Sequence, residues 1–211
     1  MMTDGFRTFD KEEVARRQLG AALHLFIEDA DPVSVHVLAC GGSEIAGALV
    51  EKRGRLSFRE ISIQTNPNLD EALYRRLKSQ VWNAFKHNDH SNGKARDDSE
   101  LFAEFSDEYN GIFLFVGWYD LVKLSGALPI EAQCFMNWFL AINPDFVRDQ
   151  EQAVELALTF PNILGKGKGE RKKLLQRCIR LRRETKHVMS DPRTEHRKLL
   201  LPSDLDQFRR A

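Results

Sequence analysis

The 211-residue sequence predicts an all-α protein, an up-and-down bundle of about six to seven helices with a basic C-terminal helix and tail. Three observations carry that expectation. Apolar residues recur at three- and four-residue spacing through most long segments, the signature of helices with one buried face. Acidic caps, prolines and glycines mark where those segments begin and end. No internal period marks a repeat architecture.

The elements follow in order. Asp10 and Glu13 form a capping box ahead of a first helix reaching about Glu28, with Leu19, Ala22, Leu23 and Phe26 as its apolar stripe. Asp31 is a good N-cap and Pro32 suits the first position of a second helix, where no N–H is needed. Val33, Val37, Cys40 and Leu49 form its expected apolar face and Gly54 its stop. Residues 55–65, containing Leu56, Phe58, Ile61 and Ile63, read as an irregular linker. After the Asn66-Pro67-Asn68 turn, Leu69, Leu73, Leu77, Val81 and Phe85 trace a third helix that stops around His87 or Asn88. Residues 88–99 are a polar loop containing Gly93, and residues 101–105 a short helical turn.

Ser106, Asp107 and Glu108 open a fourth long helix, apolar on several sides from Ile112 to Leu124, which places it at the centre, and Gly126 ends it. Pro129 opens a fifth helix, carrying Phe135, Trp138, Phe139 and Leu140 and closed by Asn143-Pro144. A sixth covers residues 145–158 before Pro161. The Gly165-Lys166-Gly167-Lys168-Gly169 hinge then introduces a basic helix over residues 170–189. The last twenty residues, interrupted by Pro192 and Pro202, read as loosely attached.

The formal net charge is zero, yet it is strongly divided. Residues 1–165 carry 16 Lys and Arg against 25 Asp and Glu, and residues 166–211 carry 15 against 6, giving −9 and +9. The expected organisation is an acidic helical bundle (1–165), a basic helix packed on it (166–190) and a loosely ordered tail (191–211). Such a division suits a nucleic-acid-binding appendage or a basic helix folded on an acidic body. Apolar runs such as residues 111–119 stop short of the roughly 20 residues of a bilayer span, and the N-terminus lacks an apolar signal core. Cys40, Cys134 and Cys178 are odd in number and widely spaced, so a reducing, cytoplasmic location is expected.

Polar chemistry clusters most tightly at the end of the third helix, in Trp82-Asn83-Ala84-Phe85-Lys86-His87-Asn88-Asp89-His90. If the helix lasts to His90, then Asn83, His87 and His90 share one face. An imidazole there can act as acid or base, Lys86 can hold a phosphate and Asn83 can orient either. The plainer reading is a helix end, where Lys and His complement the dipole and Asn88 follows the last turn. A metal reading takes His87, Asp89 and His90, with Asp97 or Asp98 from across the loop, although the spacing matches no strong motif. His24 and His36 read as ordinary helix-face histidines, and the aromatics Trp82, Trp118, Trp138, Phe85, Phe113, Phe115 and Phe139 as core or a dimer seam.

The segment resembles the HEPN superfamily of bacterial helical domains, whose active members carry Arg-Asn-x-x-x-His on a late helix. Asn83 and His87 fall on the Asn and His of that pattern, and Trp82 stands where the Arg would be. The resemblance implies an RNA-cleaving site shared by two subunits, with His87 as acid or base, Asn83 positioning and Lys86 in place of the missing guanidinium. It calls for no metal or other cofactor, and it implies a homodimer.

The basic helix is the second candidate. Lys166, Lys168, Arg171, Lys172, Lys173, Arg177 and Arg180 would meet RNA or another polyanion through counterion release. Leu174, Leu175, Cys178, Ile179 and Leu181 give the same helix an apolar side, so packing on the body is expected with it. Few aromatics interleave these cations, and base stacking is not indicated there. The rival reading is a non-catalytic interaction module whose basic segment docks on its own body or on an acidic protein partner.

Overall fold

The computed structural model describes residues 9–89 and 92–201, and these are predominantly helical. Asp10 caps α1 (Lys11–Ile27), accepting from the Glu13 N–H at 2.7 Å. The reciprocal half of the expected box is not made, because the Glu13 carboxylate instead meets Arg17 and Arg197. Asp31 caps α2 (Pro32–Lys52), its carboxylate accepting from the Val33 and Ser34 N–H groups. Gly54, with φ +69°, follows the helix end as expected.

The buried face of α2 matches the expected one at Cys40 and differs elsewhere, Val37 and Leu49 being only partly buried. Val33 is exposed, and Val35, Ala39, Gly42, Ser43, Ala46 and Val50 turn inward instead. Small residues let helices approach closely here. A Cβ on Gly117 of α6 (Glu108–Ser125) would lie 2.4 Å from Leu19 Cδ2, so α1, α2 and α6 meet at this point without room for a methyl group. By length and composition α2 could also cross a membrane, but in this fold it packs against α1 and α6.

Residues 55–65 are a correction. They contain α3 (Phe58–Thr65), opened by a full capping box between Ser57 and Glu60. Next come α4 (Glu71–Lys86), capped by Asp70, and α5 (Ser99–Glu104). Little of α4 is fully buried beyond Ala84, and Leu77 faces solvent, so it lies on the flank. As its composition predicts, α6 (Glu108–Ser125) is largely buried, and Gly126 ends it in the left-handed region at φ +74°.

Leu128–Pro129 (β1) pairs in parallel with Thr194–Glu195 (β2), a two-residue ladder the sequence did not suggest. Then α7 (Ile130–Ile142) brings Phe135, Trp138 and Phe139 into the core. The predicted sixth helix is shorter: a 3₁₀ turn at Pro144–Phe146 precedes α8 (Gln150–Thr159). The basic helix begins earlier than expected, as α9 (Lys168–Glu184), and breaks at Thr185 before α10 (Lys186–Met189). Residues 194–201 are held to the body, with Thr194 and Leu199 buried and Arg16 donating to the Lys198 and Leu199 carbonyls. All three cysteines are buried free thiols. His36, also fully buried, is satisfied by Asn110 at 2.9 Å and ringed by Phe85, Phe105 and Phe113.

Candidate functional site

The end of α4 is built by local geometry. Its last hydrogen bond runs from the His87 N–H to the Asn83 carbonyl at 3.0 Å, and His87 itself is extended, with φ −128° and ψ 126°. Asn88 then accepts from the Arg96 N–H, Asp89 bridges to Ala95, and Gly93 turns between them with φ +78°. The shared helical face of Asn83, His87 and His90 therefore does not form, because the helix stops before His87. His90 lies outside the described residues. The His87 ring is exposed, and neither it nor the Asn83 amide has a hydrogen-bond partner among the described residues. Lys86 places its ammonium 3.5 Å from the Trp82 ring centre, a cation–π contact in which the residue at the Arg position holds the neighbouring cation. Among the described residues no three His, Cys, Asp or Glu side chains are grouped to hold a metal ion.

The basic helix α9 is anchored on one side. Leu175, Cys178 and Ile179 are buried, and Gln176 donates to the Ile27 carbonyl. Lys172 is buried with them. Its ammonium lies 2.5 Å from Asp29, 2.7 Å from Asp107 and 4.3 Å from the Phe26 ring centre. Burial pushes the Asp107 carboxyl up, but Lys172, Asn110 and Lys168 outweigh it and hold the group below its ordinary value. Arg171 is also committed, donating to the Ile163 and Leu164 carbonyls, while its own carbonyl accepts from Trp138 Nε1. Lys172 and Arg171 thus serve the fold. Lys173, Arg177 and Arg180 share the exposed face at three- and four-residue spacing, without an acidic partner among the described residues.

At the N-terminal end of α9, Lys166 and Lys168 rim a pocket of about 480 Å³. Trp138, Phe139, Ile142 and Phe146 line its floor. The sequence placed no aromatics among these cations; the fold supplies them from α7 and the following turn.

A second concavity was missed. A cleft of about 460 Å³ separates α4 from α2 and α6, lined by Tyr74, Lys78 and Trp82 on one side and Glu44, Glu51 and Asp120 on the other. Asp120 is 1% exposed, and its Oδ1 accepts from the Phe58 N–H at 2.8 Å. Burial pushes its carboxyl up to about 6, pushes the Lys78 ammonium below its ordinary value and takes the Tyr74 phenol up to about 12. The signal was present in the sequence as a carboxylate amid the apolar run Gly117-Trp118-Tyr119-Asp120-Leu121-Val122.

The fold and these surfaces define a helical protein with one anchored basic helix and, among the concavities formed by its described residues, an aromatic pocket beside that helix and a separate cleft against α4. No protein-family profile, curated protein sequence or solved structure matches the chain.

Proposed function

We propose that this chain is a helical polyanion-binding protein, with RNA as the first ligand to test, and that the ligand runs along the outward face of α9. The observation that carries this reading is the division of labour on that helix. Its apolar side and Lys172 anchor it, leaving Lys173, Arg177 and Arg180 exposed without acidic partners among the described residues. Each such cation near a phosphate releases condensed counterions, so binding weakens steeply with salt. Lys166, and Lys168 beside its partner Asp107, extend the basic track to the aromatic pocket, where an unstacked base could rest on an exposed ring such as Phe146.

The HEPN-like resemblance adds a metal-independent ribonuclease reaction. In it, His87 removes the 2′-hydroxyl proton, the 2′-oxygen bonds to the adjacent phosphorus and the 5′-oxygen leaves, taking a proton from the imidazolium. Asn83 positions the group and Lys86 stabilises the phosphate; the exposed imidazole, without a hydrogen-bond partner among the described residues, favours this role. A dimer in the manner of that superfamily would bring two such ends together.

The test is fluorescence anisotropy of a labelled single-stranded RNA across a salt series, comparing the native chain with K173E/R177E/R180E. Cleavage of the same RNA is followed with EDTA present, for the native chain and His87→Ala. Salt-sensitive binding lost in the triple variant supports the polyanion reading, and EDTA-resistant cleavage lost in His87→Ala supports the catalytic one. Absence of binding would leave the rival, a non-catalytic module whose exposed basic face meets an acidic protein.

A further inference from the structure

The cleft between α2, α4 and α6 carries a pattern independent of the polyanion reading. Tyr74, Lys78 and Trp82 stand at i, i+4 and i+8 on one face of α4, so three hydrogen-bond donors line one wall. Across the cleft lie acids from two other helices, Glu44 and Glu51 of α2 and Asp120 of α6. Arg59 of α3 ties the walls together through Glu51 of α2 and Glu71 of α4, and Arg75 pairs with that same Glu71, but Lys78 and Trp82 are not closed against the acids facing them. No carboxylate lies within ion-pairing distance of Lys78 among the described residues, and the Trp82 Nε1 atom is buried with no hydrogen-bond partner. Gly47 keeps the floor open, since a Cβ there would lie 3.2 Å from Asp120 Oδ2.

Buried polar groups are ordinarily paired, because an unpaired N–H or a desolvated charge is expensive. Here a donor N–H and an ammonium are left unpaired beside Asp120, whose Oδ1 is taken by the Phe58 N–H and whose Oδ2 has no hydrogen-bond partner among the described residues. A volume of about 460 Å³ falls in the range of small-molecule sites. Glu51 is already committed to Ser57 and Arg59, which leaves Asp120 and Glu44 as the open acidic groups.

We propose that this cleft binds a small zwitterion of amino-acid size, with its carboxylate on Lys78 and Trp82 and its ammonium on Asp120 and Glu44. Such a ligand supplies an acceptor to each open donor and a cation to the buried carboxylate. A monofunctional acid would leave Asp120 Oδ2 without a partner, and a simple amine would leave Trp82 and Lys78 unpaired. Discrimination therefore rests on carrying both charges.

The experiment titrates the full chain with the standard amino acids, and with the N-acetyl and amide derivatives of any that binds. The readouts are calorimetry and the Trp82 indole N–H resonance. At least one amino acid is expected to bind and to shift that resonance, with both single-charge derivatives weaker by about tenfold or more, as for loss of a charged hydrogen bond. Trp82→Phe and Lys78→Met, both at partly exposed positions, should each weaken binding by a similar factor. Failure of every amino acid to bind overturns the proposal. So would derivatives that bind as tightly as their parent, or an indole resonance unmoved at saturation. The indole readout on the native chain needs no variant to fold.

Discussion

At the scale of single residues, Asp120 makes the clearest prediction. Its carboxyl titrates near 6 in the folded chain, against 3.8 for the ordinary group. Burial is the chief cause. Glu51 on α2 raises it further, while the Phe58 N–H before α3, Lys78 on α4 and Lys123 on α6 oppose the shift. Between those two values the folded state holds the proton more tightly than the unfolded one, so Asp120 lowers stability as pH rises. Below about pH 4 both states are protonated and there is no penalty; above about pH 6 the penalty is complete, on the order of 3 kcal/mol. Asp120→Asn should therefore stabilise the chain at pH 7 and change it little at pH 4. Paired urea titrations of both proteins at the two pH values measure this directly, and an equal effect at both would contradict it.

At the scale of elements, α3 shows what a cap does for a short helix. Eight residues are too few to be stable alone in water, so α3 depends on its ends and its neighbours. The Ser57 hydroxyl accepts from the Glu60 N–H and donates to Glu51, and Asp120 takes the Phe58 N–H. Ser57→Ala should cost about 1 to 2 kcal/mol in urea unfolding, with Ser57→Thr recovering much of it. For α9 the expected change is electrostatic. If three phosphate contacts are lost in K173E/R177E/R180E, the slope of log affinity against log salt for single-stranded RNA should fall by about 2. An unchanged slope would place the ligand elsewhere. These elements also show what was legible in the sequence. Asp10, Asp31 with Pro32, and Gly126 marked their helix boundaries because capping is local chemistry. The linker reading of residues 55–65 failed because α3 is stabilised partly by Asp120, 62 residues from Phe58. The face of α2 was read correctly at Cys40 but incompletely, because Gly42, Ser43 and Ala46 pack by being small, which leaves little hydrophobic signal. Lys172 could not be told from Lys173 by sequence, since its acidic partners are 143 and 65 residues away. The cleft left one trace in the sequence, Asp120 amid its apolar run, and the rest was illegible for the same reason, being assembled from three helices.

At the scale of the whole molecule, the ends of the described chain are joined through one buried guanidinium. Arg16 on α1 is 2% exposed and pairs with Glu195 at 2.9 Å. It also donates to the Lys198 and Leu199 carbonyls at 3.1 Å and lies 5.3 Å from the Trp118 ring centre. Glu195 belongs to β2, so the same contact supports the ladder to β1 before α7. Arg197 then reaches back to Glu13, closing a charged seam between the first helix and the segment after α10. The backbone fits this seam tightly, because a Cβ on Gly20 would stand 2.4 Å from the Leu199 carbonyl oxygen. Arg16→Ala removes the donors and leaves the Glu195 carboxylate and two carbonyls without them, which should cost about 3 kcal/mol or more. The loss should be local before it is global: hydrogen exchange should accelerate at Leu128 and Thr194, whose N–H groups bond the Arg193 and Asp191 carbonyls, while α2 and α6 stay protected. Gly20→Ala should act on the same segment through sterics, its Cβ falling 2.4 Å from the Leu199 carbonyl oxygen and 2.7 Å from Arg16 Nη1, so that the guanidinium is kept but must shift. If exchange at Leu128 and Thr194 is unchanged in both variants, the seam does not hold the C-terminal segment. If α2 and α6 lose protection in parallel, the segment is part of the cooperative core instead of a separable strap.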